Sequence, residues 1–323
     1  MQLLPEFSLR HPETLAEAAR LLKDSDARIL AGGTGLIANV RQGLAAPAVL
    51  VSLERVPGFR DIVEEGEAVR FGAGVTLARL IGDARVAERF PALAEAAVTI
   101  AGPSHRSVAT LGGNLCLDTR CVFYNQNEVW RRSNGYCLKY RGDICHVAPQ
   151  GKQCHAAYSG DLAPVLFVMQ AELEVVGPGG ARRMPIAALY REDGAQHLTL
   201  ERGELVAAVR VPLPAAGMRF GYRKARARGA IDFPLAGVAV ALQTEQGRVR
   251  ALRVALTGTN ACPLLLKGTD EFQGQALDSA LLEKLKKLVQ KQVSPQRTTV
   301  TASNYRRQVA AALSARLAKE LAA

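Results

Sequence analysis

The chain has 323 residues, of which 48% are hydrophobic and 22% are charged, a composition that excludes a disordered protein and a disulfide-stapled mini-protein. Its 41 Lys and Arg exceed its 30 Asp and Glu, leaving a net charge of +11 that calls for an anionic partner, an anionic ligand or a larger assembly. No apolar run approaches the roughly 18 residues of a membrane helix, and the first residues carry no basic and then apolar leader. We therefore expect a cytoplasmic protein with no membrane partner.

The first part of the chain predicts a small α/β unit. Residues 14–23 have the apolar spacing of a helix with Thr14 as its cap, and residues 27–30 and 48–52 are predicted strands. Between the strands lies the glycine-rich segment 31–36, with the sequence Ala-Gly-Gly-Thr-Gly-Leu. Glycines between a strand and a helix let the backbone approach a phosphate closely. This segment matches neither a Rossmann fingerprint nor a P-loop, so an ordinary tight turn stays an equal alternative.

The middle of the chain predicts short elements and a second glycine-rich loop. A strand is expected at 68–72, a short helix after Thr76 and an alanine-rich helix from Pro91 to about Ala97. The loop follows at 109–114, with the sequence Ala-Thr-Leu-Gly-Gly-Asn. Two such loops in one chain suggest a ligand with two phosphates.

The remainder predicts a second domain. Residues 165–169 and 171–176 fit two strands or a helix followed by a strand, with a hairpin turn at 177–180. Pro212, Pro214 and Gly217 then separate two apolar segments and favour a domain boundary. Strands are expected at 237–242 and 250–257, and amphipathic helices at 277–289 and 305–321. We predict domains 1–215, in sub-parts 1–55 and 56–215, and 216–323.

The two glycine-rich segments, followed in order by Gly160-Asp-Leu-Ala-Pro164 and Tyr222-Arg-Lys224, resemble the FAD-binding subunit of the molybdenum hydroxylase family. That family includes xanthine dehydrogenases and carbon monoxide dehydrogenases, and the resemblance covers nearly the whole chain. It implies an α+β fold. A two-part FAD-binding domain of the PCMH/vanillyl-alcohol-oxidase type would precede a C-terminal α+β domain of the CO dehydrogenase flavoprotein type.

The resemblance also implies a set of FAD-binding residues and no catalytic residue. The pyrophosphate would lie on segment 29–36, Asp161 would hold the adenosine ribose side, and Lys224 would lie near the isoalloxazine. From the residues alone, Asp161 could equally cap a helix and Lys224 could be one more cation of the basic run 219–228. The full predicted set is Ile29, Leu30, Ala31, Gly32, Gly33, Thr34, Gly35, Leu36, Ala101, His105, Ala109, Thr110, Gly113, Asn114, Cys116, Asp161 and Lys224.

A cysteine-bearing segment separates two motifs that nearly adjoin in the family. Asn114 and Asp161 are 47 positions apart, and the extra residues, about 118–157, contain Cys121, Cys137, Cys145 and Cys154. We call this segment the insertion. With little periodicity it cannot form its own core, so it needs a cross-link or a cofactor. Two further cysteines lie outside it. Cys116 is expected to be a packed or flavin-facing thiol and not a fifth ligand, and Cys262 a buried structural cysteine.

Three interpretations of the four thiols compete. Structural zinc usually takes closely spaced cysteine pairs, which are missing here, although His146 and His155 could substitute. Two disulfides are disfavoured in a reducing compartment. A [4Fe–4S] cluster tolerates wide spacing and benefits from aromatic surroundings, which the insertion supplies, so it is the leading interpretation. The aromatic residues are Tyr124, Trp130, Tyr136 and Tyr140.

A four-cysteine insertion in this flavin subunit resembles the β subunits of the 4-hydroxybenzoyl-CoA reductase branch of the family. The branch implies a dimer of heterotrimers with a molybdopterin subunit and a [2Fe–2S] subunit, active in anaerobic breakdown of aromatic compounds. Electrons would run from reduced ferredoxin through [4Fe–4S] and FAD to [2Fe–2S] and molybdenum. The alternative is a flavin subunit that passes electrons outward to NAD or a quinone.

The charge of the insertion leaves one further expectation and one remote alternative. Its six Lys and Arg against three Asp and Glu predict a basic cap that attracts an acidic ferredoxin. The same cations among aromatic side chains could also mark a zinc-ordered nucleic-acid-binding protein, but no nucleic-acid-binding motif occurs, so no nucleic-acid partner is expected.

Overall fold

The computed structural model describes residues 4–23, 26–296 and 301–323, and its first sheet is a small parallel one. Its three strands pair in the order β1-β3-β2. The elements of this part are β1 (Ser8–Arg10), α1 (Leu15–Leu21), β2 (Ala27–Leu30), α2 (Leu36–Arg41) and β3 (Val49–Ser52). The Thr14 hydroxyl accepts a hydrogen bond from the Glu17 amide at 3.1 Å, which confirms the predicted cap of α1.

A five-stranded antiparallel sheet forms the second layer, in the order β4-β5-β8-β6-β7. Its strands are β4 (Ile62–Glu65), β5 (Ala68–Gly72), β6 (Glu172–Gly177), β7 (Gly180–Pro185) and β8 (Leu205–Pro212). Gly177 pairs with Gly180, so the predicted hairpin turn is confirmed. Two one-turn 3₁₀ helices occur among the described residues, at Ile186–Leu189 and Thr269–Phe272.

Seven helices lie between β5 and β6 in the sequence. They are α3 (Leu77–Gly82), α4 (Ala84–Arg89), α5 (Pro91–Val98), α6 (Pro103–Arg106), α7 (Leu111–Leu115), α8 (Glu128–Ser133) and α9 (Leu162–Val168). All seven residues of α9 are buried, and α9 packs against α5 and α7. A helix buried on every side shows no apolar periodicity, which is why its sequence fitted a strand as well as a helix.

The second glycine-rich segment differs from the predicted loop. Helix α7 begins at Leu111, so Gly112, Gly113 and Asn114 are helical, and the Thr110 hydroxyl caps the helix by accepting from the Gly113 amide at 3.1 Å. A Cβ at Gly112 would lie 2.8 Å from the Cβ of Ala73. Glycine is therefore needed here so that the helix can pack closely against its neighbour.

The C-terminal part is a four-stranded antiparallel sheet covered by two helices. Its elements are β9 (Arg219–Ala225), β10 (Ala236–Glu245), β11 (Arg248–Thr257), β12 (Leu264–Leu265), α10 (Ser279–Gln292) and α11 (Ser303–Ala322). Helix α10 buries Leu281, Leu285 and Val289, the stripe expected of an amphipathic helix. Helix α9 packs against β10 and β11, and so joins this sheet to the rest of the core. None of the described helices is long and apolar enough to cross a membrane.

Candidate functional site

The two glycine-rich segments touch at Gly32. A Cβ on Gly32 would lie 2.1 Å from the carbonyl oxygen of Val108 and 2.9 Å from the Cα of Ala109, so only glycine fits. The next residue, Gly33, has a φ of +69°, in the left-handed region that favours glycine. The requirement for glycine is thus a close approach of two segments that lie far apart in the sequence.

A cavity of about 870 Å³ opens beside this contact, and we call it the large cavity. Its volume lies in the upper part of the range for small-molecule and cofactor sites. Of the residues predicted to bind FAD, only Leu30 does not line it; the Leu30 side chain lies instead beside Gly33. The predicted residues that line it are Ile29, Ala31, Gly32, Gly33, Thr34, Gly35, Leu36, Ala101, His105, Ala109, Thr110, Gly113, Asn114, Cys116, Asp161 and Lys224.

Asp161 and Lys224 form a buried ion pair in the wall of the large cavity. The Lys224 Nζ lies 3.0 Å from the Asp161 Oδ2, and the Tyr222 hydroxyl donates to the Asp161 Oδ1 at 2.5 Å. Burial raises the pKa of Asp161, and the charge of Lys224 opposes that shift. Although Asp161 begins α9, its side chain makes no cap hydrogen bond.

The two side chains to which the resemblance gives separate roles are in direct contact. Asp161 holds the Lys224 ammonium in place in the wall of the large cavity. The assignment of Asp161 to the adenosine ribose side and of Lys224 to the isoalloxazine stays a prediction.

His197 is a residue of the large cavity that the sequence analysis missed. Its side chain is buried, yet its Nε2 has no hydrogen-bond partner among the described residues. Burial lowers the pKa of His197 to about 4, and the charge of Lys139 adds to that shift, so the imidazole is neutral at neutral pH. A neutral ring nitrogen without a partner suits a polar ligand. No recognisable motif surrounds this histidine, so residue type and spacing could not indicate it.

The thiol of Cys116 also faces the large cavity, and it is uncharged at neutral pH. Burial raises its pKa to about 12, so it stays protonated. Cys116 lines the large cavity and is not among the residues that line the cysteine pocket.

The insertion is closed at its base and tied to α2. Arg120 and Ala157 exchange two backbone hydrogen bonds of 2.8 Å, which brings its two ends together. Arg131, only 1% exposed, donates to the Gly43 carbonyl at 3.0 Å just beyond α2 and to Glu128 at 2.8 Å. Its guanidinium also stacks 4.5 Å from the ring centre of Tyr140. The insertion therefore rests against the unit that carries the first glycine-rich segment.

The structure brings the four cysteines of the insertion to one small pocket, the cysteine pocket. It is lined by Cys121, Cys137, Cys145 and Cys154 together with Phe123, Tyr124, Leu138, Lys139, His146, Val147 and Ala156. The thiols interact with one another: burial raises the pKa of Cys121, and the neighbouring Cys137 and Cys145 raise it further. Burial likewise raises the pKa of Cys154 to about 11. All six cysteines are free, so the disulfide interpretation is wrong for this structure.

The geometry does not favour a single zinc ion in the cysteine pocket. Among the described residues, no group of three or more His, Cys, Asp or Glu side chains is arranged to hold one metal ion. The Nε2 of His146, a candidate zinc ligand, is engaged with the Tyr136 carbonyl oxygen at 2.5 Å. The four thiols line one pocket.

The predicted basic cap over the insertion is weaker than expected. Lys139 and Arg131 are buried in ion pairs with Asp118 and Glu128, and Arg120 packs 4.4 Å over the ring of Phe233. Half of the six cations thus act inside the fold. The exposed ones are Arg132, Arg141 and Lys152.

The arrangement of this site agrees with the comparison with known proteins. Residues 5–214 match the family described as the FAD binding domain in molybdopterin dehydrogenase, and residues 220–321 match the CO dehydrogenase flavoprotein C-terminal domain. The chain belongs to the FAD-binding subunits of the molybdenum hydroxylase family. For this family the predicted α+β fold, with a flavin domain followed by a CO dehydrogenase flavoprotein C-terminal domain, is confirmed.

Individual members of the family are similar over most of the chain. The carbon monoxide dehydrogenase medium chain of Afipia carboxidovorans is 30% identical over 94% of this chain and 92% of its own length. The xanthine dehydrogenase FAD-binding subunit of Escherichia coli O157:H7 is 27% identical over 93% and 90%. The solved structure of reconstituted CO dehydrogenase from Oligotropha carboxidovorans superposes with a TM-score of 0.81 at 28% identity, covering 99% of both chains.

Proposed function

We propose that this flavin subunit carries two redox groups, FAD in the large cavity and a [4Fe–4S] cluster in the cysteine pocket, and that it serves a 4-hydroxybenzoyl-CoA reductase. The observation that carries the proposal is that four free thiols line one pocket next to the large cavity. Tyr124 and Lys139 line both spaces, so the two spaces are neighbours.

The residues of the large cavity suit FAD. The two glycine-rich segments supply backbone without side-chain bulk, as a pyrophosphate needs, and the free Nε2 of His197 supplies a polar contact. The buried Lys224, held by Asp161, supplies a fixed positive charge for an electron-rich ring. When bound, FAD would exchange electrons singly or in pairs, and a [4Fe–4S] cluster would pass them one at a time.

The lining and the spacing of the cysteines support a cluster. Structural zinc usually takes closely spaced cysteine pairs, whereas Cys121, Cys137, Cys145 and Cys154 are each separated by at least eight positions. A cubane binds each thiolate at a different corner and so accepts four thiols spread around a pocket. Phe123 and the buried Tyr124 limit water around the thiols. Burial opposes free thiolates, and iron would supply the positive charge that stabilises them.

The domain division belongs to the same proposal. Residues 1–215 would form the FAD-binding domain, with sub-parts 1–55 and 56–215 and the insertion at about 118–157, and residues 216–323 would form the C-terminal domain. Its support is that β8 and β9, on either side of the boundary, belong to different sheets.

The partners follow from the family and from the direction of electron flow. A molybdopterin subunit and a [2Fe–2S] subunit would complete a dimer of heterotrimers, and reduced ferredoxin would donate electrons at the cysteine pocket. Removing the phenolic hydroxyl of the substrate as water takes two electrons and two protons, and the ferredoxin supplies the electrons. The substrate would bind in the molybdopterin subunit, so no residue of this chain would act on it.

A second candidate is a flavin subunit that passes electrons outward to NAD or a quinone. Two comparisons favour it: relatives at 30% and 27% identity are a carbon monoxide dehydrogenase medium chain and a xanthine dehydrogenase FAD-binding subunit. The four-cysteine pocket is the feature that favours the inward direction over this candidate.

The deciding experiment measures electron donation to the complete complex under anaerobic conditions. We expect reduction of 4-hydroxybenzoyl-CoA to depend on reduced ferredoxin, and Cys145→Ser to abolish it while FAD is retained. Cys262→Ser is the matched control, because this thiol lies outside both spaces and contacts Glu192. Rapid reduction of NAD or a quinone by a complex reduced with organic substrate, unaffected by Cys145→Ser, would establish the outward direction instead.

A further inference from the structure

Lys139 occupies an unusual place between the two spaces. It lines both the cysteine pocket and the large cavity, and its side chain is only 5% exposed. A buried ammonium is costly unless it is paired and hydrogen-bonded, so its position calls for an explanation beyond surface charge.

The contacts of Lys139 hold the charge at one point. Its Nζ lies 2.6 Å from the Asp118 Oδ1, donates to the Thr119 carbonyl oxygen at 2.9 Å and also contacts the Thr119 hydroxyl. The ammonium lies 4.5 Å from the ring centre of Tyr124. These partners surround the charge, and Tyr124 is itself buried, so the group cannot turn to the solvent.

The charge of Lys139 reaches both sides. On the side of the cysteine pocket Lys139 lines the wall together with the Cys154 thiol. On the side of the large cavity it acts on His197, whose free Nε2 marks the space proposed for FAD. Asp118 lines the large cavity as well and is 36% exposed, so the carboxylate of the pair is the more hydrated member.

We propose that Lys139 is the residue that sets the reduction potential of the redox centre in the cysteine pocket and couples it to the large cavity, with Asp118 moderating its charge. The inference rests on the proposed function. A fixed positive charge in a poorly hydrated place stabilises an added electron nearby. Removing the charge disfavours reduction, and removing its counter-charge favours it. Tyr124 lies against the Lys139 ammonium, Cys154 shares the cysteine pocket with it and His197 shares the large cavity with it.

The test is a redox titration of the cofactor-loaded full chain, followed by low-temperature EPR of the cluster. We expect Lys139→Met to lower the reduction equilibrium constant about tenfold, which for one electron is about 59 mV in midpoint potential. Asp118→Asn is expected to shift the potential in the opposite direction. Lys152→Met is the matched control, since Lys152 is an exposed cation of the same insertion and its loss changes the net charge equally.

Each outcome decides the inference. Opposite shifts for Lys139→Met and Asp118→Asn, with no shift for Lys152→Met, support it. No shift for Lys139→Met at normal iron content, or equal shifts for Lys139→Met and Lys152→Met, overturns it. If Lys139→Met fails to bind iron, the Asp118→Asn variant, which keeps the lysine, decides the question. A higher midpoint potential in Asp118→Asn supports the inference, and an unchanged or lower one contradicts it. If the wild-type chain contains no iron, the proposed function itself is wrong. Iron content therefore distinguishes failure of the proposed function from failure of the inference about Lys139.

Discussion

The large cavity takes its walls from residues between Leu22 and Phe233, whereas the cysteine pocket takes all of its lining from residues 121–156. The cavity is shaped by close packing of remote segments, as at Gly32 and Val108, and by a buried ion pair. The pocket is shaped by one irregular segment held by polar contacts and aromatic rings. The difference suggests that the cavity exists before its ligand arrives, while the pocket depends on what the thiols bind.

Breaking the buried ion pair of the cavity should destabilise the whole domain. Lys224→Met leaves the Asp161 carboxylate buried and unpaired, for which we expect a loss of about 3–5 kcal/mol in the free energy of unfolding by urea. Arg228→Met is the control, because Arg228 is 72% exposed in its pair with Asp232 and should contribute less than about 1 kcal/mol. The double variant Asp161→Leu/Lys224→Met should recover most of the loss. Equal losses of unfolding free energy in Lys224→Met and Arg228→Met would contradict a cavity that is formed before its ligand binds.

The neutral His197 should make stability depend on pH. Because its folded pKa is about 4 against an ordinary 6.5, the folded state binds fewer protons than the unfolded state between these values. The free energy of unfolding therefore falls as the pH is lowered from 6.5 to 4, and His197 accounts for about 3 kcal/mol of that fall. His197→Gln should flatten the profile of unfolding free energy over that range by this amount. Identical profiles for variant and wild type would show that the imidazole is not buried neutral.

Adding one methyl group where the two glycine-rich segments touch should affect FAD. Gly32→Ala places a Cβ 2.1 Å from a carbonyl oxygen and should cost about 1–3 kcal/mol, weakening FAD binding at least about tenfold. The matched control is Gly35→Ala, whose Cβ would meet nothing nearer than Leu117 at 3.8 Å. FAD retained after gel filtration, measured by absorbance, gives the comparison. Full retention in Gly32→Ala would place the flavin elsewhere.

Loosening the insertion should leave the flavin domain intact. Arg131→Met removes the contacts to Gly43 and Glu128, and we expect about 1–2 kcal/mol of local destabilisation because Glu128 is partly hydrated. Limited proteolysis should cut within residues 118–157 several times faster than in Arg132→Met, whose side chain is exposed. If Arg131→Met speeds cleavage outside residues 118–157 as much as within them, the insertion unfolds together with the rest of the domain.

The sequence predicted the features that show in residue type and spacing. These are the two glycine-rich segments, the cap at Thr14 and the four clustered cysteines. The ion pair between Asp161 and Lys224 was not predicted, because its members lie on different elements 63 positions apart and neither spacing nor periodicity reports their contact.

The remaining residues of the site could not be predicted, because the burial of a side chain does not show in the sequence. Residue type and spacing do not show that His197 and Lys139 are buried. In the fold, the Nε2 of His197 has no hydrogen-bond partner among the described residues. Lys139 is enclosed by Asp118, Thr119 and Tyr124. The basic cap was overestimated for the same reason, since counting charges cannot tell which of them are used inside the insertion.

The most direct test of two redox groups in one chain is the cofactor content of the full chain purified without oxygen. We predict a yellow-brown protein with one FAD, about four iron atoms and about four acid-labile sulfides per chain, and with an EPR signal of a reduced [4Fe–4S] cluster after dithionite. Zinc in place of iron, or FAD without iron and sulfide, would contradict the account and leave an ordinary flavin subunit.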